Sequence, residues 1–124
     1  MLTPSIQAAI DQSVLCWLAT VDAQGQPNVS PKELFTYVGT QHLAIAQLMS
    51  PQSVRNLRQN PQACVSFVDV FVQKGYKIKG LMTLLTAKET DYAHYAAKLL
   101  QMAGTAFPFL MVLVLEVAQV APII

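Results

Sequence analysis

The 124 residues include 53% hydrophobic and only 12% charged side chains, and their formal net charge is +1. That length suits one domain, residues 1–124, and the shortage of charge leaves too little polar surface to cover a monomer, which predicts a homodimer with an apolar interface. A near-neutral chain has no long-range field to steer it to nucleic acid or to an anionic membrane, so neither is an expected partner.

The longest apolar run, Phe107 to Leu115, is interrupted by Pro108 and closed by Glu116. It falls far short of the roughly 20 residues that span a bilayer, and its place is a core strand. The amino terminus shows no basic start followed by an apolar stretch and a cleavage site, which predicts a cytoplasmic protein. Cys16 and Cys64 sit inside apolar runs and are expected as reduced core residues, with a disulfide or metal pair as the alternative.

Along the chain, Thr3-Pro4-Ser5 followed by Ile6, Ile10 and Val14 at spacing four predicts a short capped helix with Pro4 in its first turn. The stretch from Cys16 to Phe35 reads as a hairpin. Its apolar first run ends at Asp22-Ala23-Gln24-Gly25, a turn sequence, and its second run begins at Pro27 with Asn28, Ser30 and Lys32 at spacing two. Successive side chains in a strand point to opposite faces, so these three share one face about 7 Å apart. Such a row of donors suits an anion; the alternative is a solvated strand face. Phe35 to Val38 and His42 to Ala46, joined through Gly39-Thr40-Gln41, extend the pattern into a meander.

Ser50-Pro51 to Asn60-Pro61 has a serine cap, proline at the first helical position and a second proline that forbids continuation. The helix should turn Val54 and Leu57 to the core, and its free first-turn amides beside Gln52 and Ser53 form a partly positive end. Ala63 to Val68 is apolar enough for an interior strand. Gly75 to Thr86 is a long strand with Lys77 and Lys79 on one face and Gly80 marking a bulge or a close backbone approach. Thr90 to Met102 carries Tyr92, Tyr95, Ala96, Leu99 and Ala103 at helical spacing and ends at Gly104. Phe109 to Val120 is the last strand. His94 lies off the helical stripe and His42 starts a strand, and neither position points to catalysis.

No G-x-S-x-G, paired-carboxylate, Cys-x-x-Cys, His-rich or P-loop pattern is present. A chain with a row of anion donors and no chemical motif of its own needs a cofactor for chemistry.

Leu18-Ala19-Thr20-Val21-Asp22, Gly25 to Lys32, the helix before Asn60-Pro61, and Gly75-Tyr76-Lys77-Ile78-Lys79-Gly80 together resemble the pyridoxamine 5'-phosphate oxidase-related family of flavin-binding split barrels, in order and over nearly the whole chain. The resemblance implies a mainly β (α+β) fold, a six-stranded antiparallel split β-barrel with flanking helices, assembled as a homodimer with FMN between subunits. By the same resemblance Asn28, Val29, Ser30, Pro31, Lys32 and Glu33 would line the isoalloxazine and ribityl chain. Gln47, Met49, Gln52 and Ser53 would reach the ring and phosphate, and Lys77 and Lys79 match basic strand positions loosely. The implied activity is that of a small flavin-dependent oxidase, reductase or electron carrier fed by a nicotinamide or protein donor; the rival is a cofactor-free dimeric ligand-binding or structural module.

One departure bears on the phosphate. Where many relatives place arginine or lysine before the hydroxyl residue of the phosphate helix, this chain has Gln52 before Ser53, which leaves Lys32, Lys77, Lys79 or Arg55 to supply the charge.

Overall fold

In the computed structural model, which describes residues 1–48, 51–104 and 108–123, the first helix α1 spans Pro4–Gln12. Thr3 caps it by accepting the Ile6 amide on Oγ1 at 3.3 Å, and Pro4 occupies a position where its missing N–H is no loss. Ile6, Ala9 and Ile10 are buried, whereas Val14 lies beyond the helix and is exposed, because the helix stops two residues before it.

The strands are β1 (Cys16–Val21), β2 (Pro27–Lys32), β3 (Phe35–Val38), β4 (His42–Gln47), β5 (Gln62–Asp69), β6 (Lys74–Thr86) and β7 (Met111–Pro122). Helix α2 (Pro51–Gln59) lies between β4 and β5, and α3 (Tyr92–Ala103) between β6 and β7. All ladders are antiparallel, in the order β2-β1-β5-β6-β7-β4-β3. The sheet thus has seven strands where the resemblance implies six, β3 being a four-residue edge strand.

The expected meander is broken at one point. β1 pairs with β2 and β3 with β4, but β2 and β3, consecutive in the chain, occupy opposite edges of the sheet. Glu33 and Leu34 carry the chain across, so the sheet must curl until β2 comes against β4, where Lys32 Nζ donates to Gln47 Oε1 at 3.0 Å. This is the closure of a split barrel.

Two turns explain the hairpin ends. Asp22 Oδ1 accepts the Gln24 and Gln26 amides at 2.9 and 2.8 Å, and Gly25 takes a φ of +85°, which an L side chain resists. On β6 a register shift between Lys79 and Gly80 brings β7 so close that a Cβ on Gly80 would sit 1.9 Å from the Glu116 carbonyl oxygen. Only glycine fits there.

The barrel interior is filled by Leu18, Leu43, Ile45, Val65, Phe67, Ile78, Leu113 and Leu115, closed by α1 and by Leu57 of α2. A second cluster lies where Ala96, Leu99 and Ala103 of α3 cover Ala44, Ala46, Val112 and Val114. Gly104, with φ +56°, ends α3 as the sequence predicts. β5 is interior, between β1 and β6, yet its burial alternates along the strand. Cys64 therefore falls on the outward face and is only partly buried, unlike Cys16, and both thiols are free.

Candidate functional site

β2 turns Ser30 and Lys32 into the barrel and leaves Val29 and Pro31 on its outside, with Glu33 exposed just beyond; Asn28 is half-buried. The row of donors therefore faces inward. Helix α2 leans over the same wall and buries Ser53, Asn56 and Leu57, while Val54 is only half-buried. The face expected to be apolar is instead mostly polar.

Three sets of contacts join these elements. Ser30 Oγ and Ser53 Oγ share a hydrogen bond of 3.0 Å between buried hydroxyls. Lys32 Nζ donates to Gln47 Oε1 at 3.0 Å, linking β2 to β4. From the helix, Asn56 Nδ2 donates to Thr20 Oγ1 at 3.0 Å, Gln52 Nε2 to Asn56 Oδ1 at 2.7 Å, and Arg55 Nη2 to Gln52 Oε1 at 2.8 Å. This chain of bonds runs from solvent at Arg55 to the barrel wall at Thr20.

The electrostatics centre on Lys32, which is 4% exposed. Burial pulls its ammonium below the ordinary lysine range, opposed weakly by Cys16, its cross-strand neighbour on β1. The same burial pushes the Cys16 thiol up to about 12, with the Lys32 charge pulling the other way. Among the described residues the salt bridge is Lys98 to Asp11, on the far helices, and Lys32 has a neutral amide as its hydrogen-bond acceptor. A buried cation without a counter-charge is costly, and the natural way to offset the cost is an anion. Ser30 stands on the same inner wall, hydrogen-bonded to Ser53 of α2 above it. A phosphate therefore fits the residues present.

Of the predicted site residues, Ser30, Lys32, Gln47, Gln52 and Ser53 are brought together, with Asn28 at the edge. Val29, Pro31 and Glu33 point away, and Met49 lies outside the described residues, as does the expected serine cap at position 50. Lys77 and Lys79 are exposed on the outside of β6, so the structure separates them from Lys32 by the barrel wall. Sequence reasoning missed Thr20 and Asn56. Thr20 continues the inward series of Cys16 and Leu18 at spacing two, and Asn56 follows Ser53 at spacing three on the helix, so both signals were present.

The histidines lie elsewhere. Tyr95 of α3 meets His42 edge-on at 5.6 Å and His94 at 4.9 Å between ring centroids. His42 is five residues from Gln47, about 17 Å along β4. Among the described residues no group of three or more His, Cys, Asp or Glu could hold a metal ion, and no helix is long and apolar enough to cross a membrane.

A curled antiparallel sheet closed at Lys32 and Gln47, with the polar stripe of a helix packed over its inner wall, defines a split barrel. The chain belongs to the pyridoxamine 5'-phosphate oxidase family, whose model matches residues 2–123. HupZ from Group A Streptococcus has a similar structure, with a TM-score of 0.84 and 26% identity over 99% of this chain and 94% of that one. An FMN-binding protein from Syntrophomonas wolfei subsp. wolfei is similar at a TM-score of 0.76 and 17% identity, covering 95% and 83%. HutZ, a heme storage protein from Vibrio cholerae, is similar at 0.72 and 22%, covering 97% and 93%. These last two likenesses concern the fold alone. No curated protein matches the chain.

Proposed function

We propose that this protein binds FMN noncovalently as a homodimer, with the phosphate against Lys32, Ser30 and Ser53, and serves as a small redox protein. It acts as a flavin-dependent oxidase or reductase, or as an electron carrier supplied by a nicotinamide or protein donor. The observation that carries this reading is the buried Lys32 ammonium, whose hydrogen-bond acceptor is uncharged, on the same strand face as the buried Ser30 that bonds Ser53. The likeness to a protein named as FMN-binding supports it. Bound flavin supplies the electron chemistry. The chain's own part is to hold and orient: Lys32 offsets phosphate charge, the hydrogen-bonded Ser30–Ser53 hydroxyl pair offers a donor to its oxygens, and the Gln52–Asn56–Thr20 bonds fix the helix against the wall.

A second reading rests on a different place. Both histidines flank Tyr95 beside a surface cavity of about 360 Å³, and a relative of the same fold is named for heme storage. Titration of the protein with FMN, riboflavin and hemin separates the readings. FMN is expected to bind with flavin absorbance near roughly 450 nm, a property of the cofactor. Ser53→Ala, which removes one neutral hydrogen bond worth about 0.5–1.5 kcal/mol, should weaken FMN severalfold and riboflavin less. Absence of binding at high micromolar FMN overturns the flavin reading and leaves the cofactor-free module; hemin binding abolished by His42→Ala or His94→Ala favours the second.

A further inference from the structure

Helix α1 closes one end of the barrel, and where it passes the end of the β5–β6 hairpin it leaves a groove of about 450 Å³. That volume lies in the range of small-molecule sites, roughly 300–1,000 Å³. On β5 the buried series is Val65, Phe67 and Asp69, and the facing series on β6 is Ile78, Tyr76 and Lys74. The last pair of the ladder, Asp69↔Lys74, therefore turns toward the groove, and both residues line it. Ala8 and Ala9 of α1 form the opposite wall, with Val72 and Tyr76 completing the apolar part. The other face of this ladder, where Ser66 and Lys77 pair, takes no part in the groove.

Asp69 is the group that folding does not explain. It is 8% exposed, and its Oδ1 accepts the Phe71 amide at 3.1 Å, the bond an aspartate makes to the backbone two residues on in a turn. An asparagine would make the same bond, so the turn accounts for one oxygen and not for the charge. Among the described residues this is the carboxylate's one hydrogen bond, and no cation stands at ion-pair distance: the salt bridge is Lys98 to Asp11, although Lys74 is directly opposite Asp69. A buried carboxylate without a counter-charge is costly, and a cation from outside the chain offsets that cost. Lys74, exposed at the rim, is likewise without a carboxylate partner among the described residues. Asp69 and Lys74 are the charged residues of the lining, so the groove is neutral as a whole and holds its two charges apart. A simple amine would be repelled by the lysine and a simple acid by the aspartate, whereas a molecule bearing both charges satisfies both.

We propose that this groove binds a free α-amino acid with an apolar side chain. The ligand's ammonium group goes to Asp69 and its carboxylate to Lys74, and its side chain lies against the methyl groups of Ala8, Ala9 and Val72. Ser5 and Gln12 of α1, whose side chains make no hydrogen bond among the described residues, lie in the same lining and offer further donors to the carboxylate. A wall of methyl groups discriminates weakly between apolar side chains, so specificity rests on the two α-groups. None of these residues belongs to the Lys32 wall, and the inference depends neither on the flavin nor on the homodimer of the proposed function.

Calorimetric titration of the full chain with L-phenylalanine and L-leucine tests it, beside 3-phenylpropionate, which lacks the ammonium group, and phenethylamine, which lacks the carboxylate. Both amino acids should saturate the protein by about 1 mM, the upper end of ordinary small-substrate affinities. Each one-charge analogue should bind at least about tenfold more weakly than L-phenylalanine, for the loss of one charge-assisted contact. Asp69→Asn, which keeps the turn, should bind L-phenylalanine and 3-phenylpropionate alike, and Lys74→Met should erase the preference over phenethylamine. Ala8→Leu, at an exposed position of α1, should fill the groove and abolish binding with circular dichroism unchanged. The site is overturned by a wild type that neither amino acid saturates at about 1 mM, or that binds either one-charge analogue as tightly as L-phenylalanine. Preferences that survive in both charge variants, or binding that survives Ala8→Leu, overturn it equally.

Discussion

Two strands of this protein present lysines in the same way and put them to opposite use. On β2, Ser30 and Lys32 lie two residues apart; on β6, Lys77 and Lys79 do. Lys32 points into the barrel under α2, while Lys77 and Lys79 stand in solvent on the outside of the wall. The alternation of a strand states which residues share a face and is silent on which face is inside; that is decided by what the flanking residues must bury. Around Lys32 the outward partners Val29 and Pro31 are themselves apolar, so the local pattern misleads. Around Lys77 and Lys79 the intervening Ile78 is fully buried, and the pattern is plain.

The comparison can be broken most severely at β6, whose inward and backbone groups serve architecture. Gly80→Ala places a methyl group 1.9 Å from the Glu116 carbonyl, and β7 must move. The expected loss is about 3 kcal/mol or more, read as a lower urea midpoint, because packed strands do not yield by such distances cheaply. A midpoint within error of wild type would show the β6–β7 bulge to be plastic.

The ligand sharpens the contrast between the lysines themselves. Lys32→Met should cost a charge-assisted hydrogen bond of about 1.5–3 kcal/mol, a roughly ten- to hundredfold weakening for FMN, with riboflavin affected much less. Lys77→Ala and Lys79→Ala should leave both flavins within about twofold. Calorimetric titration of the three variants decides it, and equal weakening of FMN and riboflavin by Lys32→Met would move this side chain from the phosphate to the ring or ribityl chain.

The smallest effect concerns the ligand-free protein. Because burial lowers the Lys32 pKa below 10.5, the unfolded chain holds that proton more tightly than the folded one. Below the lowered pKa both states are charged and the penalty of burial is fully present. Between it and 10.5 unfolding takes up a proton, so stability rises with pH. Lys32→Met should remove that rise and be neutral to about 1 kcal/mol stabilising at pH 7. Urea titrations at neutral and alkaline pH measure both, and a stability that falls with pH in wild type through Lys32 would require a buried carboxylate partner.

Much of the architecture was legible because it depends on local chemistry. Thr3 and Pro4 start α1, Asp22 and Gly25 make the first turn, Gly104 ends α3, and Gly80 marks the bulge; each needs only its neighbours and the stereochemistry of its own backbone. The spacing of Ser30 and Lys32 likewise placed them on one face. Tertiary structure alone decided the rest. That β2 and β3 part to opposite edges depends on how far the sheet curls, a sum of twists over seven strands that no single segment records. That Ser53 meets Ser30, and Asn56 meets Thr20, depends on α2 turning its polar stripe inward. A helix stripe of amides and hydroxyls is read from sequence as the solvent side, and only the polar wall that it covers makes burial of that stripe affordable.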